Sequence, residues 1–291
     1  MSKKDSTIAG CISLYRREQI HKHVYPDFLM PLHTGMTALE RAVMECAAAG
    51  CDSIWITVSR EHLPLARKVL GDFIYDPLYF FNMRKVKYAA DYLRRIPIYY
   101  CPMRIKDIGL KDSEAFGIIN SALCARKLSL KLSNALEPEK YYAAFYDGVY
   151  QPFVAMSNRD YIHEKNNFHF SYNSKTFRDG EPLGFTFDRE QLKACHEMVR
   201  NEGTRKYRAL SEYKTDHSWL ELLPKDERYS ARKFTLDKVF SSVTLTDAYE
   251  LKLRWFHNIN TWEGYRAFIS GHTTIRRPKK DLRPANQLER I

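Results

Sequence analysis

Long apolar runs are missing from this sequence. None approaches the roughly 18 residues that a membrane-spanning helix needs, which excludes an α-helical membrane protein. No export signal is expected either, since the polar stretch Met1-Ser2-Lys3-Lys4-Asp5-Ser6 leads directly into a strand-like run. The two absences give the expectation of a cytoplasmic protein with no membrane partner. Cysteine is sparse and unpatterned. Cys11, Cys46, Cys51, Cys101, Cys124 and Cys195 include no Cys-x-x-Cys pair, and most sit inside apolar patterns. They read as small core residues in a reducing compartment, not as zinc ligands or disulfides. Internal repeats and low-complexity segments are absent as well.

What is present is a core and an excess of cations. Hydrophobic residues make up 44% of the 291 positions, enough for one large domain or two small ones. The formal net charge of +11 favours polyanionic partners such as phosphates, nucleotides or nucleic acid. Part of that charge is local. Arg276-Arg277-Pro278-Lys279-Lys280-Asp281-Leu282-Arg283-Pro284 reads as a solvated terminus, with nucleic-acid contact as the sharper alternative.

The organising stretch is Tyr141-Tyr142-Ala143-Ala144-Phe145-Tyr146-Asp147-Gly148-Val149-Tyr150, bounded by Pro138 and Pro152. A short continuous apolar run of this kind reads as a central strand buried on both faces. An acid at its carboxyl end falls where open α/β sheets bind ligands. The competing reading makes Asp147-Gly148 a hairpin turn between two strands.

Upstream, the pattern alternates. Thr7 to Tyr15 reads as a first strand, followed by a basic loop with Arg16, Arg17, His21, Lys22 and His23. Thr37-Ala38-Leu39-Glu40 has capping-box spacing for a helix that Gly50 ends. Ser53 to Val58 is a β-branched strand, and His62 to Leu70 a helix with Pro64 in its first turn. Phe73 to Phe81 reads as irregular and Val86 to Arg95 as a short helix. Ile96 to Cys101 is a further strand, and Arg104, Lys106 and Asp107 lie in the loop after it. Asp112-Ser113 can cap a helix carrying Phe116, Ile119, Ala122, Leu123 and Ala125. This order predicts an α/β fold, a three-layer α/β/α sandwich with a mostly parallel sheet.

After Tyr150 the character becomes mixed α+β. Residues His163 to Tyr172 are polar and aromatic, and Phe185-Thr186-Phe187 suggests a strand. Asp188 can cap a helix with Leu192, Cys195, Met198 and Val199 on one face. Trp219 to Leu223 and Phe234 to Val243 are short helical candidates. Glu250 to Phe256 alternates as one half-buried strand does, and Trp262 to Ser270 reads as a helix ended by Gly271.

Three places together resemble the nucleotide-diphospho-sugar transferase superfamily, with its GT-A-like fold. They are Met30-Pro31-Leu32 with Leu39-Glu40-Arg41-Ala42-Val43 and Ala49-Gly50-Cys51-Asp52-Ser53-Ile54-Trp55-Ile56; Phe145-Tyr146-Asp147-Gly148-Val149; and Asn258-Ile259-Asn260-Thr261-Trp262-Glu263-Gly264-Tyr265. The likeness covers most of the chain and is nearest to nucleotidyltransferase-like proteins of tailed phages, which implies the host cytoplasm. It implies a single GT-A-like domain over residues 1–270, with a core at 7–155, acceptor-side and closing elements at 156–270, and a basic tail at 271–291.

The resemblance implies attack of a sugar phosphate on a nucleoside triphosphate, with release of pyrophosphate and dependence on Mg2+ (or Mn2+). Asp147 would hold the metal and Asn260 or Asn258 complete it. Arg16 and Arg17 would face phosphates. Gly10, Lys22, Arg104, Lys106 and Asp112 are the substrate-side candidates. Asn258 and Asn260 also have a plain reading as caps of the following helix. The sequence departs from the family in three ways. The first loop has one glycine and two arginines where the family has a glycine-rich phosphate cradle. Asp27 or Phe28 stands where the family has a lysine. Trp262 replaces a proline. Either Arg16, Arg17 or Lys22 substitutes, or the phosphate grip is weaker, or catalysis is lost. Two rivals follow: a glycosyltransferase using a nucleotide-sugar donor, disfavoured by the lack of a second acid at Val149, and a non-catalytic binding protein on the same fold.

Overall fold

The computed structural model describes residues 7–14, 26–32, 35–78, 94–103, 114–199, 234–245 and 247–273. An eight-stranded sheet runs through the protein. Its strands are β1 (Ile8–Ser13), β2 (Ser53–Val58), β3 (Phe73–Tyr75), β4 (Arg95–Pro102), β5 (Lys140–Ala144), β7 (Phe168–Ser171), β8 (Phe185–Asp188) and β9 (Tyr249–Lys252). The order across the sheet is β3-β4-β2-β1-β5-β8-β7-β9. β4, β2, β1 and β5 are mutually parallel, β3 and β8 are antiparallel to their neighbours, and β9 is parallel to β7. The mostly parallel α/β reading is therefore correct.

Alternation along the strands sorts the core into two faces. Ile8 and Ile12 of β1, with Tyr142 and Ala144 of β5, meet Leu39, Val43 and Cys46 of helix α1 (Ala38–Ala48). Ala9, Cys11, Tyr141 and Ala143 meet Ala115, Ile118, Ile119 and Ala122 of α3 (Glu114–Leu132) on the other side. Helix α2 (Leu63–Leu70) packs on the first face, and α4 (residues 189–199) adds Leu192, Cys195 and Val199 to the second. Helix α5 (Trp262–Thr273) returns to the α1 face through Phe268. The result is three layers.

Local chemistry sets several boundaries as expected. Thr37 Oγ1 accepts from the Glu40 N–H at 3.2 Å, and Glu40 Oε2 accepts from the Thr37 N–H at 2.7 Å, closing the capping box. Asp188 and Gln191 cap α4 reciprocally at 2.8 and 3.0 Å. Gly50 closes α1 with φ of 87°, a backbone state that favours glycine.

The structure corrects other readings. Tyr141 to Tyr150 is not one strand: the chain leaves the main sheet after Ala144 and enters β6 (Gly148–Tyr150). β6 pairs with β10 (Phe256–Asn258) in a separate two-stranded sheet. Because β5 and β6 do not pair with each other, Asp147-Gly148 is not a hairpin turn either. Glu250 to Phe256 likewise breaks into β9 and β10. Phe73–Tyr75, at the start of the stretch expected to be irregular, is a strand that covers the edge of β4, and the polar and aromatic stretch His163 to Tyr172 contains β7. Helix α5 runs through Gly271, which packs inside its last turn instead of ending it. Of the helix expected over Val86 to Arg95, residues 86–93 lie outside the described residues and Arg95 opens β4; the helix expected at 219–223 lies outside them too, and of the tail expected at 271–291 the first three residues belong to α5 while the rest is not described.

One buried cation joins the sheet to its surroundings. Lys140 opens β5, and its Nζ donates to the carbonyls of Ile162, Glu164 and Asn166 at 2.9, 2.8 and 2.8 Å. Burial pushes its pKa down to about 8, against the pull of Asp188 and Glu164. At pH 7 it remains mostly an ammonium, whose three N–H groups match three acceptors. Replacing it with methionine strands those carbonyls. Lys140→Met is expected to lose about 2–4 kcal/mol, read from the urea midpoint.

Candidate functional site

The sheet defines where a ligand crevice lies. From β1 the chain moves through α1 to β2 on one side, while β5 enters on the other side of β1. The gap between β1 and β5 is thus the switch point of the parallel strands, and ligands of open α/β sheets bind beyond the carboxyl ends at such a point. Asp147 lies three residues past the end of β5, at this gap. Its side chain is almost fully buried, with 1% exposure.

A second segment arrives there from far along the chain. The Ile259 N–H donates to the Asp147 carbonyl at 2.8 Å, and Asn258 is in register with Gly148 across the β6–β10 pair. The structure therefore brings Asp147 beside Asn258-Ile259-Asn260. Two glycines permit the close packing. A methyl group on Gly148 would collide with the Pro182 carbonyl oxygen, and one on Gly264 with the Asn258 carbonyl oxygen. Asn258 Oδ1 accepts from the Asn260 N–H at 3.1 Å, forming a tight local turn. Thr261, not either asparagine, caps α5, with its Oγ1 accepting from the Gly264 N–H at 3.1 Å. Asn258 is thus committed to shaping the turn. The half-buried amide of Asn260 makes no side-chain hydrogen bond among the described residues and faces no such claim.

A buried network braces the chain that carries Asp147. Arg41 Nη1 donates to the Phe145 carbonyl at 3.1 Å, and Arg41 Nη2 donates to Glu45 Oε2 at 2.7 Å. Glu45 Oε1 accepts from Tyr142 Oη at 2.7 Å and also from Tyr150 Oη. The Arg41 guanidinium lies 4.4 Å from the centre of the Tyr150 ring. Burial pushes both phenols up, and the Glu45 carboxylate adds to this, so the two tyrosines stay protonated donors. For Arg41, burial works against the charge, but Glu45 and Tyr150 outweigh it and raise its pKa. This network spans both sides of Asp147. Sequence reading missed it, although Arg41 and Glu45 stand at i, i+4 on α1, the spacing of a helical ion pair.

The remaining candidates divide. Gly10 lies in the middle of β1, buried, where a Cβ would sit 2.8 Å from Cys46 Sγ. Its missing side chain serves the packing of α1 on the sheet. Arg16, Arg17, Lys22, Arg104, Lys106 and Asp112 lie outside the described residues. At the carboxyl ends of β1 and β2, Thr57 Oγ1 donates to the Gly117 carbonyl at 2.8 Å, and Ser121 Oγ donates to the Ile12 carbonyl at 3.2 Å. These contacts fix the start of α3 against the rim. Among the described residues no group of three or more His, Cys, Asp or Glu side chains could hold a metal ion by itself. None of the described helices is long and apolar enough to cross a membrane.

This layered sheet, with an acidic residue at its switch point, defines a three-layer α/β protein with a mostly parallel sheet. The comparison with solved structures gives the same class. A Bacillus anthracis protein described as a glucose-1-phosphate thymidylyltransferase, crystallised with sucrose, superposes with a TM-score of 0.51 at 11% identity, over 93% of this chain and 96% of that one. A UDP-glucose pyrophosphorylase in complex with UDP-glucose gives 0.49 at 11% identity, over 94% and 100%. At these identities the likeness is one of fold, and the first structure carries it. No protein-family profile and no curated protein matches the sequence.

Proposed function

We propose that this protein is a metal-dependent nucleotidyltransferase that joins a sugar phosphate to a nucleoside triphosphate. A phosphate oxygen of the sugar phosphate attacks the α-phosphorus. A new P–O bond forms there, the bond to the β,γ-diphosphate breaks, and pyrophosphate leaves. The observation that carries the reading is the junction of Asp147, at the β1/β5 switch point, with the segment Asn258–Asn260.

The donor set suits Mg2+ or Mn2+ of a particular kind. One carboxylate and one amide do not make an all-protein cage. They do suit an ion held by one or two protein oxygens and completed by water and substrate phosphates. Asp147 and Asn260 would hold it, and it would neutralise charge on the transferring phosphate. Asn258 is withdrawn from that set by its turn. Asp147, fixed through its carbonyl by Ile259, presents a carboxylate in a place from which water is largely excluded. Charges act over longer range there than in water. Arg16, Arg17 and Lys22, which follow β1 in sequence, supply the cations for the phosphates in this reading, and Arg104, Lys106 and Asp112 stay substrate-side candidates.

The test is turnover. The purified chain, given each of the four common ribonucleoside triphosphates or dTTP with a panel of sugar 1-phosphates and Mg2+, is expected to release pyrophosphate with one pair. Hydrolysis or transfer from a ready-made nucleotide-sugar, without pyrophosphate formation, would instead favour the glycosyltransferase reading. No binding of any nucleotide would leave only the fold.

A further inference from the structure

We infer that Cys46 and Cys51 form a redox modification site, a thiol pair that closes to a disulfide across the end of α1 when a disulfide oxidant is present. The helix end itself builds the pair. The Gly50 N–H donates to the Ala47 carbonyl at 3.0 Å and the Cys51 N–H to the Cys46 carbonyl at 3.1 Å, with Gly50 at φ of 87°. This is the Schellman ending, in which the third residue from the helix end and the second residue past its cap are brought together. That contact is commonly made by two apolar side chains. Here both positions are cysteine, and the backbone motif sets their separation.

The sheet leaves room for the two sulfurs. A Cβ on Gly10, in the middle of β1, would sit 2.8 Å from Cys46 Sγ and 3.3 Å from Cys51 Sγ, so both sulfurs share the space that the glycine vacates. The two thiols are hydrogen-bonded to each other. Both are anchored. Cys46 lies in the last turns of α1, and Asp52, next to Cys51, is tied to Ile8 twice. Its N–H donates to the Ile8 carbonyl at 2.8 Å, and its Oδ2 accepts from the Ile8 N–H at 2.9 Å. Cys101 also hydrogen-bonds Cys124, but those two stand on β4 and α3, and their spacing depends on how a helix lies on the sheet.

Both Cys46 and Cys51 are fully buried, and burial pushes the Cys46 thiol well up, with Cys51 and the Glu45 charge adding to this. In the closed fold the pair is therefore slow to react. Asp52 is exposed, so opening of the helix end, not of the whole core, brings Cys51 to solvent. One cysteine thiolate then attacks a sulfur of oxidised glutathione, forming a mixed disulfide and expelling one glutathione thiolate. The other cysteine attacks the protein sulfur of that bond, forms the Cys46–Cys51 disulfide and expels the second thiolate. One S–S bond breaks and one forms, and the two thiol protons end on two molecules of glutathione. The adjacent partner favours this second step over a lasting mixed disulfide.

The experiment equilibrates the native chain with oxidised and reduced glutathione, quenches it in denaturant with N-ethylmaleimide and reads tryptic peptides by mass. No lysine or arginine lies between Arg41 and Arg60, so both thiols fall on the peptide of residues 42–60. The expected product is that peptide unlabelled and about 2 Da lighter, restored by dithiothreitol, with Cys11, Cys101, Cys124 and Cys195 still thiols. The equilibrium constant against glutathione should be at least about tenfold larger in the native chain than in urea. By the same thermodynamic cycle, the oxidised chain should melt about 2–4 °C above the reduced one. Cys46→Ala and Cys51→Ala should each abolish the lighter peptide and the gain in melting temperature. Both thiols labelled in the native chain, a disulfide formed elsewhere in their place, closure no more favourable than in urea, or a lower melting temperature after oxidation would each overturn the proposal. The wild-type comparison carries the test if either variant fails to fold. None of these readouts involves nucleotide turnover, so the outcome is independent of the enzyme reading.

Discussion

Asp147→Asn is expected to lower kcat for pyrophosphate release by about 10^3-fold while leaving the protein folded. The amide matches the carboxylate in shape, so the chain from Phe145 to Gly148 and its bond to Ile259 remain. What disappears is the negative charge that would hold the cation beside the transferring phosphate. Losses of that order accompany removal of a single preorganised electrostatic group at a reacting centre. Stability is expected to hold or rise, since the side chain is 1% exposed and a buried charge is removed. Raising Mg2+ or Mn2+ should recover only the part of the loss that comes from weaker metal binding, because filling the site does not replace the missing negative charge beside the transferring phosphate. Steady-state kinetics beside a melting curve decide it. A variant within tenfold of wild type would show that Asp147 is a structural acid.

Glu45→Ala is expected to cost about 3–5 kcal/mol, the largest stability loss of any single substitution considered. Glu45 is 7% exposed and accepts from Arg41, Tyr142 and Tyr150. Removing it leaves a guanidinium and two hydroxyls in the core without their acceptor, and breaking one side of a buried pair is costly for that reason. The double substitution Arg41→Met with Glu45→Met should recover a good part of the loss, because it removes both charges and keeps the volume. Urea unfolding of the two variants reads this directly. An equal loss in both would mean that packing around Glu45, and not charge pairing, is what matters. Arg41 also holds the Phe145 carbonyl, so Glu45→Gln, which keeps the shape, should lower activity more than its stability loss explains.

The candidate site was half legible in the sequence. Asp147 stood out because an acid after a run of buried residues is rare and because the run is bounded by prolines. The Asn258–Asn260 segment stood out only through resemblance. Their partition of work did not show. That Asn258 shapes a turn, that Thr261 rather than an asparagine caps α5, and that Gly10 makes room for Cys46 depend on which atoms meet, and composition does not record this.

The sequence by itself determined the β1-α1-β2-α2 alternation, the strand and helix that follow at β4 and α3, the capping box at Thr37, the cap at Asp188, and the layered α/β class. Those are short-range matters: side-chain periodicity and cap chemistry act within a few residues. Only the tertiary structure decided that the aromatic stretch splits between two sheets, that β8, β7 and β9 extend the sheet beyond β5, and that Ile259 reaches back to Asp147. Pairings between distant segments are chosen by how well two faces bury each other, and that choice belongs to the packed core as a whole.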